Sequence, residues 1–157
     1  MKNPPVPDIR KLSAREAEML LRRNRIGRLA YTYQNKVDIR PLHYVWRRGW
    51  LFGRTSPGDK LMKLTHNQWV AFEIDEIDNG LDWKSVIVHG TFYMLKSEGS
   101  AHDVRLHRKA VRAIREVAPF AFREDDPVAF RSEVFGIAID TMTGRSSSTK
   151  SGASKRR

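Results

Sequence analysis

The sequence predicts a mainly β (α+β) domain in which antiparallel strands close wholly or partly into a barrel, with helices at its periphery. Three observations carry that prediction. Segments of strand character outnumber those with helical periodicity. Most links between strand segments are too short for a parallel crossover. Few helices lie between consecutive strands, which favours a barrel over a doubly wound sheet. The chain has 157 residues, 40% of them hydrophobic and 10% aromatic, enough for one substantial core, whereas two domains would each be marginal.

The elements are predicted in order. Ser13 and Glu16 form a capping box that opens an amphipathic helix running to about Asn24, with Ala17, Leu20 and Leu21 on its apolar side. Gly27 separates that helix from a β run at Leu29–Tyr33, and Gln34-Asn35 suits a tight turn. Val37–Trp46 reads as a second strand, which Pro41 confines to an edge or a bulge. Arg47-Arg48-Gly49 turns into Trp50–Phe52. Ser56 is then expected to cap a short helix, with Pro57 at its first position and Asp59 at its third. Leu61 and Leu64, with Met62 as a further candidate, supply its buried side. In Gln68–Asp75, Val70, Phe72 and Ile74 alternate onto one face. A polar link leads to the long strand Trp83–Leu95, where Val86, Val88, Gly90, Phe92 and Met94 share a face. A helix carrying His102, Leu106, Val111, Ile114 and Val117 follows, then a last strand at Glu133–Asp140. The organisation expected is a flexible segment 1–11, one domain over 12–145 and a disordered basic tail 146–157. No internal repeat is visible.

The net charge is +11, and five of those charges (Arg145, Lys150, Lys155, Arg156, Arg157) fall in a Ser-, Thr- and Gly-rich run without an acid. Such a run has too little apolar surface to fold. The charge left on the folded part suits an anionic ligand and leaves a nucleic-acid partner open, with non-specific contact by the tail as the ordinary expectation. The absence of Cys excludes disulfides and thiolate metal sites. No apolar run approaches a spanning helix, so a cytoplasmic protein without membrane attachment is expected.

The leading candidate for chemistry is Arg54-Thr-Ser-Pro-Gly-Asp-Lys60, a strand end running into a helix start and hence an anion site. Thr55 and Ser56 add hydroxyls, Gly58 permits close backbone approach, and Lys60 adds charge. Arg40 on the neighbouring strand can contribute a bidentate guanidinium. The plain alternative is an ordinary capped helix with solvated Arg54 and Lys60. Trp83 could wall a flat ligand and Ser85 could bond its polar edge, although packing at the barrel end explains both as well. The five His form no metal constellation, and His43 and His89 read as pocket-lining or half-buried imidazoles. Glu73 and Asp75, one pleat apart, read as rim or interface carboxylates rather than a hydrolytic pair. No nucleophile elbow or P-loop occurs.

The order of motifs carries a resemblance. Arg25-Ile-Gly-Arg-Leu-Ala30, Arg40-Pro-Leu-His-Tyr44, Thr55-Ser-Pro-Gly-Asp-Lys60, Phe72-Glu-Ile-Asp75 and Trp83-Lys-Ser-Val86 with Gly90 resemble the pyridoxamine 5′-phosphate oxidase-related flavin-binding proteins, nearest to their nitroimidazole-resistance-like branch. The closing Ile137–Arg145 resembles that branch's last strand. The resemblance implies a split β-barrel homodimer with FMN at the subunit interface. It implies that Arg40, Thr55, Ser56 and Lys60, with Arg54 beside them, grip the phosphate. Backbone at Pro41, Leu42 and His43 would face the ring, and Trp83 and Ser85 would approach it from the partner chain. Vitamin B6 oxidases close with a Trp-rich segment and an Arg-x-His motif. Here Arg105-Leu-His107 has those letters inside a predicted helix, so that reaction is not expected.

The function expected is therefore an FMN-dependent oxidoreductase acting on nitro or other electron-poor small molecules. NAD(P)H is the candidate reductant, His43 the candidate residue beside the substrate, and F420 the runner-up cofactor. A non-catalytic flavin-, F420- or haem-binding protein is the second reading. A small basic nucleic-acid-binding barrel, with Tyr44, Trp50 or Trp69 as stacking platforms, is the third.

Overall fold

The computed structural model describes residues 3–149. In chain order the elements are β1 (Asp8–Lys11), α1 (Ala14–Arg23), β2 (Ile26–Tyr33), β3 (Lys36–His43), β4 (Val45–Arg47), β5 (Trp50–Thr55), α2 (Asp59–His66), β6 (Trp69–Ile77), β7 (Trp83–Leu95), α3 (Ala101–Val117) and β8 (Glu133–Ser148). The strands form one antiparallel sheet in the order β3-β2-β6-β7-β8-β5-β4, with β1 added to the far end of β8. The sheet curls until β3 approaches β5, giving the barrel its seam.

Alternation fills the interior. Leu29, Phe72, Val88, Phe92, Phe135 and Ile137 pack in one buried cluster that also takes Ala17, Leu20 and Leu21 from α1. The Ser13–Glu16 capping box forms as expected, and the Tyr44 hydroxyl donates to the Leu21 carbonyl at 2.8 Å, tying α1 to the barrel. A second cluster lies outside the barrel wall, where Ala110, Ala113 and Ile114 of α3 cover Val45, Phe52 and Val134. α3 opens with its own capping box, Ser100 with Asp103.

Four expectations need correction. Asp8–Lys11 is a strand rather than part of a flexible segment, and it pairs with Arg145–Ser148, so β8 runs eight residues past Asp140. Backbone pairing and the burial of Ser146 and Ser147, the latter donating to the Leu81 carbonyl at 2.6 Å, hold a stretch whose side chains look solvated. The rest of the expected tail, 150–157, lies outside the described residues. The Val37–Trp46 run is two strands: β3 ends on β2, Tyr44 donates its amide to the Arg25 carbonyl at 2.9 Å, and β4 pairs with β5 instead. Finally, Ser56 does not cap α2. Gly58 occupies the cap with φ +154°, a conformation glycine alone adopts freely, so the helix starts at Asp59 and no side chain caps it. Among the described residues no helix is long and apolar enough to cross a membrane.

The β7–β8 ladder changes register between His89 and Gly90. A Cβ at Gly90 would stand 2.1 Å from the Ala138 carbonyl oxygen, a backbone atom that cannot move aside. Gly90→Ala is therefore expected to lower stability by about 2–3 kcal/mol. Gly80→Ala, where nothing lies within 4 Å, is expected to change it by less than about 0.5 kcal/mol. Urea unfolding followed by tryptophan fluorescence measures both.

Candidate functional site

The site grows from the seam between β3 and β5. β5 can run close to β3 because residue 53 is glycine: a Cβ there would meet the His43 carbonyl oxygen at 2.7 Å and the Phe135 ring at 2.4 Å. Beyond Gly53 the strand delivers Arg54 outward and the buried Thr55 inward.

Thr55 and Lys60 meet. Lys60 Nζ donates to Thr55 Oγ1 at 2.8 Å and makes no ion pair among the described residues. Burial pushes the Lys60 ammonium below the ordinary lysine value, and the positive fields of Arg40 and Arg131 add to that shift. Ser56 is exposed beside them, its hydroxyl unused by the helix cap. Arg40, opposite Leu29 and so on the barrel side of β3, has its guanidinium 3.4 Å from Asp38 and more than half exposed. Three cations thus converge on an uncapped helix start, an arrangement that favours an anion.

Arg54 has a different place from the one expected. Its guanidinium makes two contacts with Asp126, at 2.5 and 3.3 Å, and both side chains are buried. The Asp126 carboxylate also accepts from the Phe122 and Val128 amides at 2.9 and 3.1 Å. Phe122, with φ +64°, is held in the left-handed region by that contact. The stretch after α3 is thereby clamped over β5, and Arg54 is committed to it rather than to a phosphate. Arg131, which no sequence pattern singled out, is carried by this stretch to the vicinity of Lys60.

Between the clamped stretch, the end of α3 and β4–β5 lies a cavity of about 360 Å³. Val45, Phe52, Ile114 and Val128 give it apolar walls, and His43, Arg25 and Arg131 stand on its lining. Pro41 lies on the same side of β3 as His43, opposite Arg28, while Leu42 is buried opposite Gly27.

Trp83 and Ser85 are not brought to this site within one chain. They pair with Ser147 and Arg145, at the opposite end of β8 from Thr55, which pairs with Glu133. Both lie on the outward face of β3-β2-β6-β7, where Ile26, Val37, Ile39, Trp69 and Ile77 are more than half exposed. At its centre Arg28 lies 3.3 Å from Asp75 and 3.9 Å from Glu73, and Glu73 Oε1 is buried with no hydrogen-bond partner among the described residues. Burial, then the neighbouring Asp75, raises Glu73 to about 6. His89 stacks on Trp69 at 6.2 Å on this face. Of the three proposed stacking platforms, Tyr44 is buried and Trp50 lies flat on Phe52 at 5.5 Å, so only Trp69 is exposed. Among the described residues no His, Cys, Asp and Glu cluster could hold a metal ion.

The model of the family described as pyridoxamine 5′-phosphate oxidase matches residues 13–146. The chain belongs to that family. An uncharacterised protein of Rhizobium meliloti (strain 1021) is 27% identical over 99 residues, which span 63% of this chain and 66% of that relative. Among solved structures of similar fold, an FAD-binding protein of Mesorhizobium loti is 28% identical with a TM-score of 0.73, covering 89% of this chain and 99% of that one. An FAD-binding protein of Mycobacterium smegmatis gives 24%, 0.62, 88% and 98% for the same quantities. A candidate 5-nitroimidazole antibiotic resistance protein of Bacteroides thetaiotaomicron gives 16%, 0.69, 90% and 89%. The last two bear on fold alone. The pyridoxamine 5′-phosphate oxidase family and its split barrel, implied by the order of motifs, are thus both found.

The clamp makes a pH prediction for this family member. The Arg54 guanidinium, with the two amides, holds the Asp126 carboxyl at about 2 against an ordinary 3.8. A folded value below the unfolded one stabilises the fold above about pH 4, and that contribution is lost as pH falls through about 2. Asp126→Asn is expected to lower the thermal midpoint at pH 7 by about 5 °C or more. It is also expected to flatten the decline of that midpoint between pH 4 and 2, as followed by circular dichroism.

Proposed function

We propose that this protein binds FMN and uses it as an oxidoreductase on small, electron-poor molecules, nitro compounds among them. The observation that carries this reading is Lys60, half-buried, bonded among the described residues only to the Thr55 hydroxyl and facing the fields of Arg40 and Arg131. Gathering like charges in a partly desolvated place is unfavourable without an anion to receive them. A terminal phosphate monoester has nearly two negative charges and three acceptor oxygens, which these cations and the hydroxyls of Thr55 and Ser56 match. The phosphodiester of F420 carries a single charge and matches less well. The likeness at 28% identity to an FAD-binding protein supports a flavin as the group concerned.

In this reading Arg40, Thr55, Ser56 and Lys60 hold the phosphate, with Arg131 in place of Arg54 as the additional cation. Backbone at Pro41–His43 lies beside the ring. The flavin, when bound, supplies the redox chemistry, with NAD(P)H as reductant. The protein's own residues anchor, orient and exclude water, and His43, on the cavity lining, is the residue assigned beside the substrate. A cytoplasmic location, where flavin phosphate and NAD(P)H are at hand, belongs to the same reading.

A homodimer also belongs to it. The outward face with exposed Val37, Ile39 and Ile77 carries Trp83 and Ser85, which lie far from Lys60 in their own chain. A second copy over this face removes the apolar surface from water and offers its Trp83 and Ser85 to the cofactor.

Titration of the purified protein with FMN is expected to quench flavin fluorescence at a saturable site. Lys60→Ala and Arg40→Ala are each expected to weaken binding about tenfold or more while leaving circular dichroism unchanged. Unchanged affinity in the double variant would contradict the phosphate site. Bleaching of the bound flavin by NAD(P)H, and recovery on adding a nitroaromatic, separate an enzyme from a storage protein. Light scattering is expected to give twice the mass of one chain, and Ile39→Glu to give monomers with weakened FMN binding. A monomeric wild type would remove the dimer from this reading.

A further inference from the structure

We infer that the cavity under the clamped stretch is a separate binding site for a small, flat organic anion, with an aromatic carboxylate as the class of ligand. The floor and the rim of the cavity point to the two halves of such a molecule. Val45, Phe52, Ile114 and Val128 present apolar side chains from β4, β5, α3 and the stretch after α3, and the volume of about 360 Å³ suits a single substituted ring. Three arginines line it, and their states differ. Arg54 is neutralised by Asp126 and is packed near the rings of Phe120 and Phe122, at 5.9 and 5.3 Å, so it belongs to the wall. Arg25 donates to the carbonyls of Arg22 and Asn24 at 2.6 and 3.2 Å. Neither Arg25 nor Arg131 has a carboxylate partner among the described residues.

An apolar pocket whose lining includes two unneutralised guanidiniums selects a ligand that is hydrophobic over most of its surface and negative at one end. A neutral ring would fill the floor and leave both cations unmatched. A small polar anion would meet the cations and leave the floor wet. An aromatic carboxylate does both.

Arg131 connects this cavity to the site of the cofactor, since the same side chain lies on the cavity lining and acts on Lys60. His43 lies on the lining as well, at the end of the strand that carries Arg40. As the place where substrate binds, the cavity rests on the flavin reading. As a binding site it stands on its own walls and charges.

The test uses the full chain, with 4-nitrobenzoate as the anionic probe and nitrobenzene as its neutral counterpart, both measured by calorimetry or saturation-transfer NMR. Wild type is expected to bind 4-nitrobenzoate at least tenfold more tightly than nitrobenzene. Val128→Trp, which fills the cavity from the wall, is expected to reduce the affinity for both by tenfold or more. Arg25→Gln is expected to reduce only the preference for the anion, and its exposed position makes it tolerant where the bulkier change is not. FMN affinity is measured in the same samples. Binding of 4-nitrobenzoate that survives Val128→Trp, or that does not exceed nitrobenzene binding in wild type, overturns the inference. So does a parallel tenfold loss of FMN in a folded Val128→Trp, which would make the cavity the flavin's own. A protein that ignores FMN yet shows the expected probe pattern keeps the anion site and loses the flavin reading.

Discussion

The contact between Arg54 and Asp126 joins residues 72 positions apart, and most of the site depends on it. Burying either charge alone would be strongly unfavourable, so each requires the other. The carboxylate does more than neutralise. By accepting two amides it shapes the stretch after α3, and by holding the guanidinium it presses that stretch onto β5. The wall of the cavity and the position of Arg131 both follow. A residue type that suggests phosphate binding is here the bolt that fastens the structure around Thr55 and Lys60.

The second constraint is the break at Tyr44. β3 belongs to the β2 side of the sheet and β4 to the β5 side, so the chain changes partner within two residues. Gly53 allows β5 to pass the His43 carbonyl at this point. The seam that results is where Arg40, Thr55 and Lys60 come together from three elements. An unbroken strand would have carried Arg40 away from the helix start.

The sequence and the structure agree where side-chain pattern decides the outcome. The Ser13–Glu16 box, the alternation of Val70, Phe72 and Ile74, and the order of motifs all gave readings that the fold reproduces. Disagreement came where backbone or distant partners decide. Ser56-Pro57 looks like a helix start, yet the conformation open to Gly58 moves that start two residues on. Ser146 and Ser147 look solvated, yet ladder bonds to β1 and β7 hold them. Arg54 carries no mark of Asp126, and Arg131 sits in an irregular stretch where spacing has no meaning. Ser100 and Asp103 offered a capping signal for α3 that could have been read.

The long β8 has one more consequence. It pairs with β1, β5 and β7, all of which precede it in the chain. During synthesis the ribosome therefore presents β2, β3, β6 and β7 as an open sheet, with β1 and β5 waiting for a strand not yet made. Closure of the barrel waits for β8, and pairing across such separations is slow. Until it happens the edge of β7 is free to accept a strand from another nascent chain, so crowded polysomes are where this fold is most exposed to misassembly.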